Sequence, residues 1–296
     1  MKKIAILLST YNGKEYIERQ ITSIYQQSYS DFELYIRDDG SNLAFLEQLR
    51  QLQQEYHFVL LEGSNKGFVA SFMTLLDAVG NADLYAFADQ DDIWLPKKLQ
   101  RAVDWFEGQN EEVPLLYHSA YDVIDENEHI IDRFYFPDQK YDFRRTITEN
   151  HYSGFAMVIN KKLREYMLQG NTKYIGYHDW WAAMIVHAFG IAHSDPEVMA
   201  LHRAHGNNVT TFNFKTRIQW LCKTLSEQSE LDERAKEFER CFGEKLDQWN
   251  RGILDMFTAN KYSFCNSLKK ACYPKRWRPI ISSELTIRFL MLIGKI

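Results

Sequence analysis

Apolar and polar positions alternate along the first hundred residues in two periods. Short apolar runs such as "KIAILLST", "FELYIRDD", "HFVLLEG" and "DLYAFAD" read as buried strands. Between them lie longer amphipathic stretches. In "GKEYIERQITSIYQQS", Tyr16, Ile17, Ile21, Ile24 and Tyr25 recur at helical spacing. "LAFLEQLRQLQQEY", "GFVASFMTLLDAV" and "KKLQRAVDWFEG" behave alike, with Pro96 expected in the first helical turn. Strands separated by helices of this length predict an α/β fold, Rossmann-like, with a mostly parallel central sheet flanked by helices. Later, "PLLYHSAYDVI", "SGFAMVIN" and "EVMALHR" predict strands and "HDWWAAMIVHAFG" a helix. From Phe214 the pattern turns helical and charged. This places a soft boundary near residue 212, with domains at 1–212 and 213–296, the second a basic helical appendage.

In open α/β sheets, ligands bind beyond the carboxyl ends of the strands. Here those ends read "STYNG", "RDDGS", "EGSNKG" and "ADQDD", all polar and two with paired acids. The densest is Asp89, Asp91 and Asp92. Helix capping needs one aspartate, and Asp92 suits it. Three crowded carboxylates repel unless a cation or donors relieve them, and a hard ion such as Mg²⁺ or Mn²⁺ prefers such oxygens. That ion would bridge a substrate's phosphates. The first acid of "RDDGS", Asp38, would sit at the neighbouring strand end beside "STYN", where a carboxylate can accept the ring N–H of a pyrimidine, and Tyr11 offers a face for base stacking.

Composition narrows the class. The chain has 296 residues, 45% hydrophobic and 15% aromatic, enough for a sizeable core. Four cysteines (Cys222, Cys241, Cys265 and Cys272) form no CxxC pair, which argues against a zinc site and a disulfide framework and for reduced thiols in the cytoplasm. The opening apolar run is too short for a signal peptide and reads as a first strand. No apolar stretch reaches the roughly 18 residues of a membrane span. The net charge of −5 hides an asymmetry: residues 1–212 hold 19 Lys+Arg against 30 Asp+Glu, and residues 213–296 hold 16 against 10. The last forty residues interleave cations with aromatics. They read either as a packed helical appendage or as a surface for anionic lipid, with Lys269, Lys270, Lys275, Arg276 and Arg278 around a Trp277 anchor. No nucleic-acid module accompanies the charge.

The pieces "LSTYNGKEYIERQITSIYQQSYSDFELYIRDDGS", "NKGFVASF", "ADQDDIWLPKKL", "SGFAMVINKKL", "HDWWAAMIV" and "LHRAHGNNVT" together resemble family 2 glycosyltransferases of the GT-A fold, over about residues 1–210. The wording of "DQDDIW", "HDWW" and "HRAHGNNV" is similar to bacterial rhamnosyltransferases of cell-surface polysaccharide synthesis. The resemblance implies an inverting, metal-dependent enzyme that moves a sugar from a nucleotide-diphosphate donor, dTDP-L-rhamnose first and UDP-hexose next, to a saccharide acceptor that is lipid-linked or protein-linked. It implies donor contacts at Ser9, Thr10, Tyr11, Asn12, Glu15, Asp39, Lys66, Asp89, Gln90 and Arg203. Asp91, Asp89 and His205 match the metal-binding positions, and Asp179 the catalytic base. His178 stands where the family often has Glu; with Trp180 and Trp181 it is expected near the acceptor, although adjacent tryptophans on a helix point in different directions, so at least one of the two is expected in the core. Two other classes stay open on the residues alone. A nucleotidyltransferase also gathers acids around Mg²⁺ but would bring a Gly-rich phosphate loop, which "STYNGKEY" is not. A non-catalytic nucleotide-sugar-binding protein on the same fold would have no use for Asp179.

Overall fold

The computed structural model describes residues 1–13, 15–134, 141–204, 230–259 and 263–296. Their contacts divide them into two units. The first comprises residues 1–140, 151–168 and 177–205; the second, residues 141–150, 169–176 and 206–296. The boundary expected at residue 212 lies outside the described residues.

In the first unit the alternation becomes β1 (Ile4–Thr10), α1 (Ile17–Tyr25), β2 (Phe32–Asp38), α2 (Leu43–Tyr56), β3 (Val59–Glu62), α3 (Phe68–Ala78) and β4 (Leu84–Ala88). Next come β5 (Ile93–Trp94), α4 (Lys98–Phe106), β6 (Leu115–Ile124) and β7 (Ile130–Phe134). Among the described residues, nine strands make one sheet in the order 3-2-1-4-8-6-9-5, with β7 on β6. The four leading strands are parallel, as the alternation predicts. β8 (Met157–Asn160) runs antiparallel to both β4 and β6, so β6 points the same way as β4. β9 (Ile191–Arg203) is parallel to β6. The carboxyl ends of β1, β2, β4, β6 and β9 therefore share one edge of the sheet.

Ile4, Ile6, Leu8, Ile36, Leu84 and Ala86 fill the core on one face of the sheet against Ile17, Ile21 and Ile24 of α1. The spacing of those helix positions is what the amphipathic pattern required. α4 differs from expectation: it starts at Lys98 with Lys97 at its N-cap, so Pro96 lies just before the helix rather than in its first turn, and β5, ahead of Pro96, pairs with β9. α6 (Lys161–Met167) begins at Asn160, whose side chain accepts the Leu163 N–H at 2.9 Å. α7 (His178–Phe189) follows, with Trp181, Ala182, Ala183 and Ile185 buried.

The second unit holds the short α5 (Phe143–Thr146), α8 (Glu230–Phe242), α9 (Gln248–Asp255), α10 (Phe264–Ala271) and α11 (Ile281–Leu292). Trp277 is fully buried there. Its indole N–H donates to the Lys270 carbonyl at 3.0 Å, and its ring meets Phe257 edge-on at 5.3 Å. Lys270 is buried too, with its ammonium over Phe257. Arg278 donates to the Thr148 carbonyl at 2.6 Å and to Ser283 Oγ at 3.0 Å. Trp277, Lys270 and Arg278, expected on a lipid-facing surface, are thus structural members of this unit.

Candidate active site

Parallel pairing sets Thr10 beside Asp38 and Leu8 beside Ala88, so the segments leaving β1, β2 and β4 meet at one edge. Gln90 stitches two of them. Its side-chain oxygen accepts the Thr10 hydroxyl at 2.7 Å and the Tyr11 N–H at 2.9 Å, and its amide donates to the Tyr11 carbonyl at 3.3 Å. A Cβ on Gly13 would lie 2.4 Å from that same oxygen, so only glycine admits this approach. Tyr11 is left half exposed, its ring accessible for stacking. Asn12 sits in the left-handed region at φ 51° and accepts from the Asn42 backbone and side chain. Ser9 donates to Ser71 Oγ at 2.6 Å. Glu15 is exposed in the turn before α1.

The two acids of "RDDGS" divide their work. Asp38 closes the turn by accepting the N–H groups of Gly40 and Ser41 at 3.0 and 2.9 Å. Asp39 is buried, ion-paired with Arg37, and accepts the N–H groups of Lys66 and Gly67 at 2.9 and 2.8 Å. Lys66 thus meets the site through its backbone, and its side chain is exposed. Arg37, which the strand pattern gave no reason to single out, also reaches Ser71 Oγ at 2.8 Å and the Ser64 carbonyl at 3.0 Å.

The acidic stretch after β4 is the electrostatic centre. Withdrawal from water pushes the Asp89 pKa well up, and the nearby Asp92, Asp91 and Asp179 push it further against the opposing pull of His202. Asp179 in the first turn of α7 is therefore within electrostatic reach of Asp89. The helix amino terminus favours its negative charge, and one of its oxygens accepts the Trp180 N–H at 2.7 Å.

Asp92 is not a helix cap. It is fully buried between strands, where Oδ1 accepts from His202 Nδ1 at 2.8 Å and from the Arg203 N–H at 3.3 Å. Burial lowers the His202 pKa, but Asp92, Asp89 and Asp91 outweigh it and raise the ring to about 9. His202 went unnoticed in the sequence; its only signal was its place in "LHRAH", one residue before Arg203. Arg203 itself is buried and committed within the protein. It bonds the Asp91 carbonyl at 3.3 Å, pairs with Glu128 at 3.1 Å and lies 4.6 Å over the Tyr16 ring. It holds the loop that carries Asp91, which corrects its expected place on the donor.

Two of the three acceptor expectations also change. Trp181 is fully buried, its indole N–H on the Met167 carbonyl at 3.1 Å. His178 is buried in an aromatic box, 4.4 Å from the Phe72 ring and 5.0 Å from Phe87. A Cβ on Gly154 would fall 2.6 Å from its Nε2, so the glycine makes room for the ring. Burial pushes the His178 pKa down to about 3. Trp180 is partly exposed next to Asp179 and keeps an acceptor-facing role open. His205 lies outside the described residues.

Among the described residues, no three His, Cys, Asp or Glu side chains converge as a ready-made metal cage. A hard cation that takes one or two carboxylates and completes its shell with water and substrate phosphate needs none. The charge crowding at Asp89, Asp91 and Asp92, and the buried Asp92 Oδ2 with no hydrogen-bond partner, fit such an ion nearby.

A sheet of this order with acids gathered at its carboxyl edge is the GT-A arrangement, and the chain belongs to Glycosyl transferase family 2, matched over residues 5–167. It is 35% identical over 137 residues to an uncharacterized glycosyltransferase of Nostoc sp., covering 44% of this chain and 40% of that protein. It is 36% identical over 103 residues to the dTDP-rhamnosyl transferase RfbG of Shigella flexneri, covering 33% of this chain and 36% of that one. The chain thus spans well under half the length of these relatives. In fold it is similar to S. aureus TarS 1–349 in complex with UDP-GlcNAc: TM-score 0.61, 14% identity, 99% of this chain and 79% of that one.

Proposed function

We propose that this chain is an inverting glycosyltransferase that moves a sugar from a nucleotide-diphosphate donor to a saccharide hydroxyl. One observation carries the reading: Asp179 stands within electrostatic reach of the Asp89–Asp92 cluster, yet on a separate element, the first turn of α7. Sugar transfer needs those two charges apart. One must sit by the departing diphosphate and the other by the attacking hydroxyl.

In this reading the base of the donor stacks on Tyr11 and the Asp39 region receives its ring N–H. Asp91 with Asp89 would hold Mg²⁺ or Mn²⁺, which when bound stabilises charge on the departing diphosphate. Asp179 accepts the proton of the acceptor hydroxyl as its oxygen attacks the anomeric carbon. The bond to the diphosphate breaks from the opposite face, so a single displacement inverts the centre. Trp180, partly exposed beside Asp179, would stack on the acceptor sugar. The likeness to the dTDP-rhamnosyl transferase RfbG favours dTDP-rhamnose as donor.

The experiment is a thermal-unfolding screen with UDP-, dTDP- and GDP-sugars, with and without Mg²⁺ or Mn²⁺, followed by transfer assays and assignment of the product anomer. A true donor stabilises by mass action, by about 2.7 kcal/mol at a hundred times its Kd. Metal-dependent stabilisation by dTDP-rhamnose and an inverted product are expected. A product that retains the donor's anomeric configuration, or full transfer in the presence of EDTA, overturns the mechanism.

A further inference from the structure

The second unit exposes an apolar stripe that its own core does not use. One side of α11 packs inward through Ile287, Leu290 and Met291, all buried. On another side, Ile281, Leu285, Phe289 and Leu292 recur at spacings of four, four and three residues, which is one helical face. Leu285 is 65% exposed and Phe289 54%. A helix that packs on a core needs one apolar stripe. The neighbouring α10 adds Phe264 and Leu268, one turn apart and also exposed. Scattered surface leucines are ordinary, but large apolar groups on successive turns mark an interaction surface.

The charges of the same segment select its partner. Between Ser263 and Ile296 the one acidic residue is Glu284. It is buried, paired with Arg288 and accepting the Arg278 N–H at 2.8 Å. Lys269, Lys275 and Arg276 are exposed. The segment therefore presents large apolar groups and cations, with no exposed carboxylate side chain. This is the composition of an interfacial helix on anionic lipid, where apolar groups enter the acyl boundary and cations meet the headgroup phosphates.

We propose that the α10–α11 segment docks on an anionic bilayer surface through Ile281, Leu285, Phe289 and Leu292, with Lys269, Lys275 and Arg276 on the headgroups. The buried Trp277 takes no part. The docking does not depend on which reaction the first unit performs.

Co-sedimentation with vesicles tests it, using phosphatidylglycerol mixed with phosphatidylcholine against pure phosphatidylcholine. Wild type is expected to pellet with the mixed vesicles at low salt and much less with the neutral ones. Leu285→Gln/Phe289→Gln should lower partitioning at least about tenfold on both, since each buried side chain contributes about 1.5–3 kcal/mol. Lys269→Gln/Lys275→Gln/Arg276→Gln should lower it about a hundredfold on anionic vesicles alone, at about 1 kcal/mol per cation. All five side chains are exposed, and circular dichroism checks that both variants fold. The proposal is overturned if wild type ignores mixed vesicles at low salt or if either variant pellets like wild type. It is also overturned if lipid-free wild type sediments as a dimer that Leu285→Gln/Phe289→Gln splits, because the stripe would then join two copies.

Discussion

Asp179 and Asp91 carry opposite ends of the proposed reaction, and their variants separate the two tasks. Asp179→Asn removes the proton acceptor, so transfer should fall by about 10²–10⁴-fold. Donor affinity by calorimetry should stay near wild type, because the base acts on the acceptor. Asp91→Asn removes a ligand charge and should cost about a hundredfold or more in turnover and weaken metal-dependent donor binding. Near-normal activity with unchanged metal dependence would discard Asp91 as a ligand. His178 gives a stability prediction. Its folded pKa is about 3 because burial opposes the charged ring, while an unfolded histidine titrates at about 6.5. Between these values only the unfolded chain binds the proton. Acid therefore removes stability, at about 1.4 kcal/mol per pH unit. His178→Phe suits the aromatic box and should flatten the loss of stability below pH ~6.5 by roughly one proton's slope. Denaturant midpoints measured across that range check it; identical slopes would mean that His178 does not stay neutral in the fold.

Elements position these residues through a few side chains in the loops. Gln90 joins the ends of β1 and β4 with bonds to both Thr10 and Tyr11. Each such bond contributes about 1 kcal/mol net. Gln90→Ala should release the Tyr11 loop and weaken donor binding about tenfold, with a smaller effect on the melting temperature. Gly13→Ala should act alike by displacing the Gln90 side chain. Equal donor Kd values in wild type and both variants would show that the Tyr11 loop has no part in donor binding. The strand–helix alternation that builds this edge was legible because helices and strands impose different periods on the apolar positions. β5 was not: two residues carry no period, and Ile93–Trp94 is a strand only because β9 lies beside it.

Across the whole chain, the charge asymmetry acquires a structural meaning. Trp277 is fully buried in the second unit against Phe257 and Tyr273, so Trp277→Ala should cost that unit about 3–5 kcal/mol. Chemical denaturation followed by intrinsic fluorescence would read this as an earlier transition. A variant as stable as wild type would contradict its buried place. Among the described residues no helix is long and apolar enough to cross a membrane; the docking proposed above uses exposed side chains such as Leu285 and Phe289.

Sequence alone settled the α/β alternation, the polar strand ends and the joint pattern from "LSTYNG" to "HDWW". These are properties of local periodicity and residue type, which survive without coordinates. It could not say which polar side chain faces a ligand and which serves the protein, because that depends on partners distant in the chain. Asp92 looked like a cap until His202, 110 residues away, appeared beside it. Arg203 looked like a donor contact until Asp91, Glu128 and Tyr16 surrounded it. His178 and Trp181 stand one and two residues from Asp179 in sequence, yet successive helix positions are turned about 100° from one another, and the packing against Phe72 and Met167 decided that both go inward. Trp277 shows the same limit: the cations around it suggest an anchor, but only tertiary packing closes Phe257 and Tyr273 over its ring.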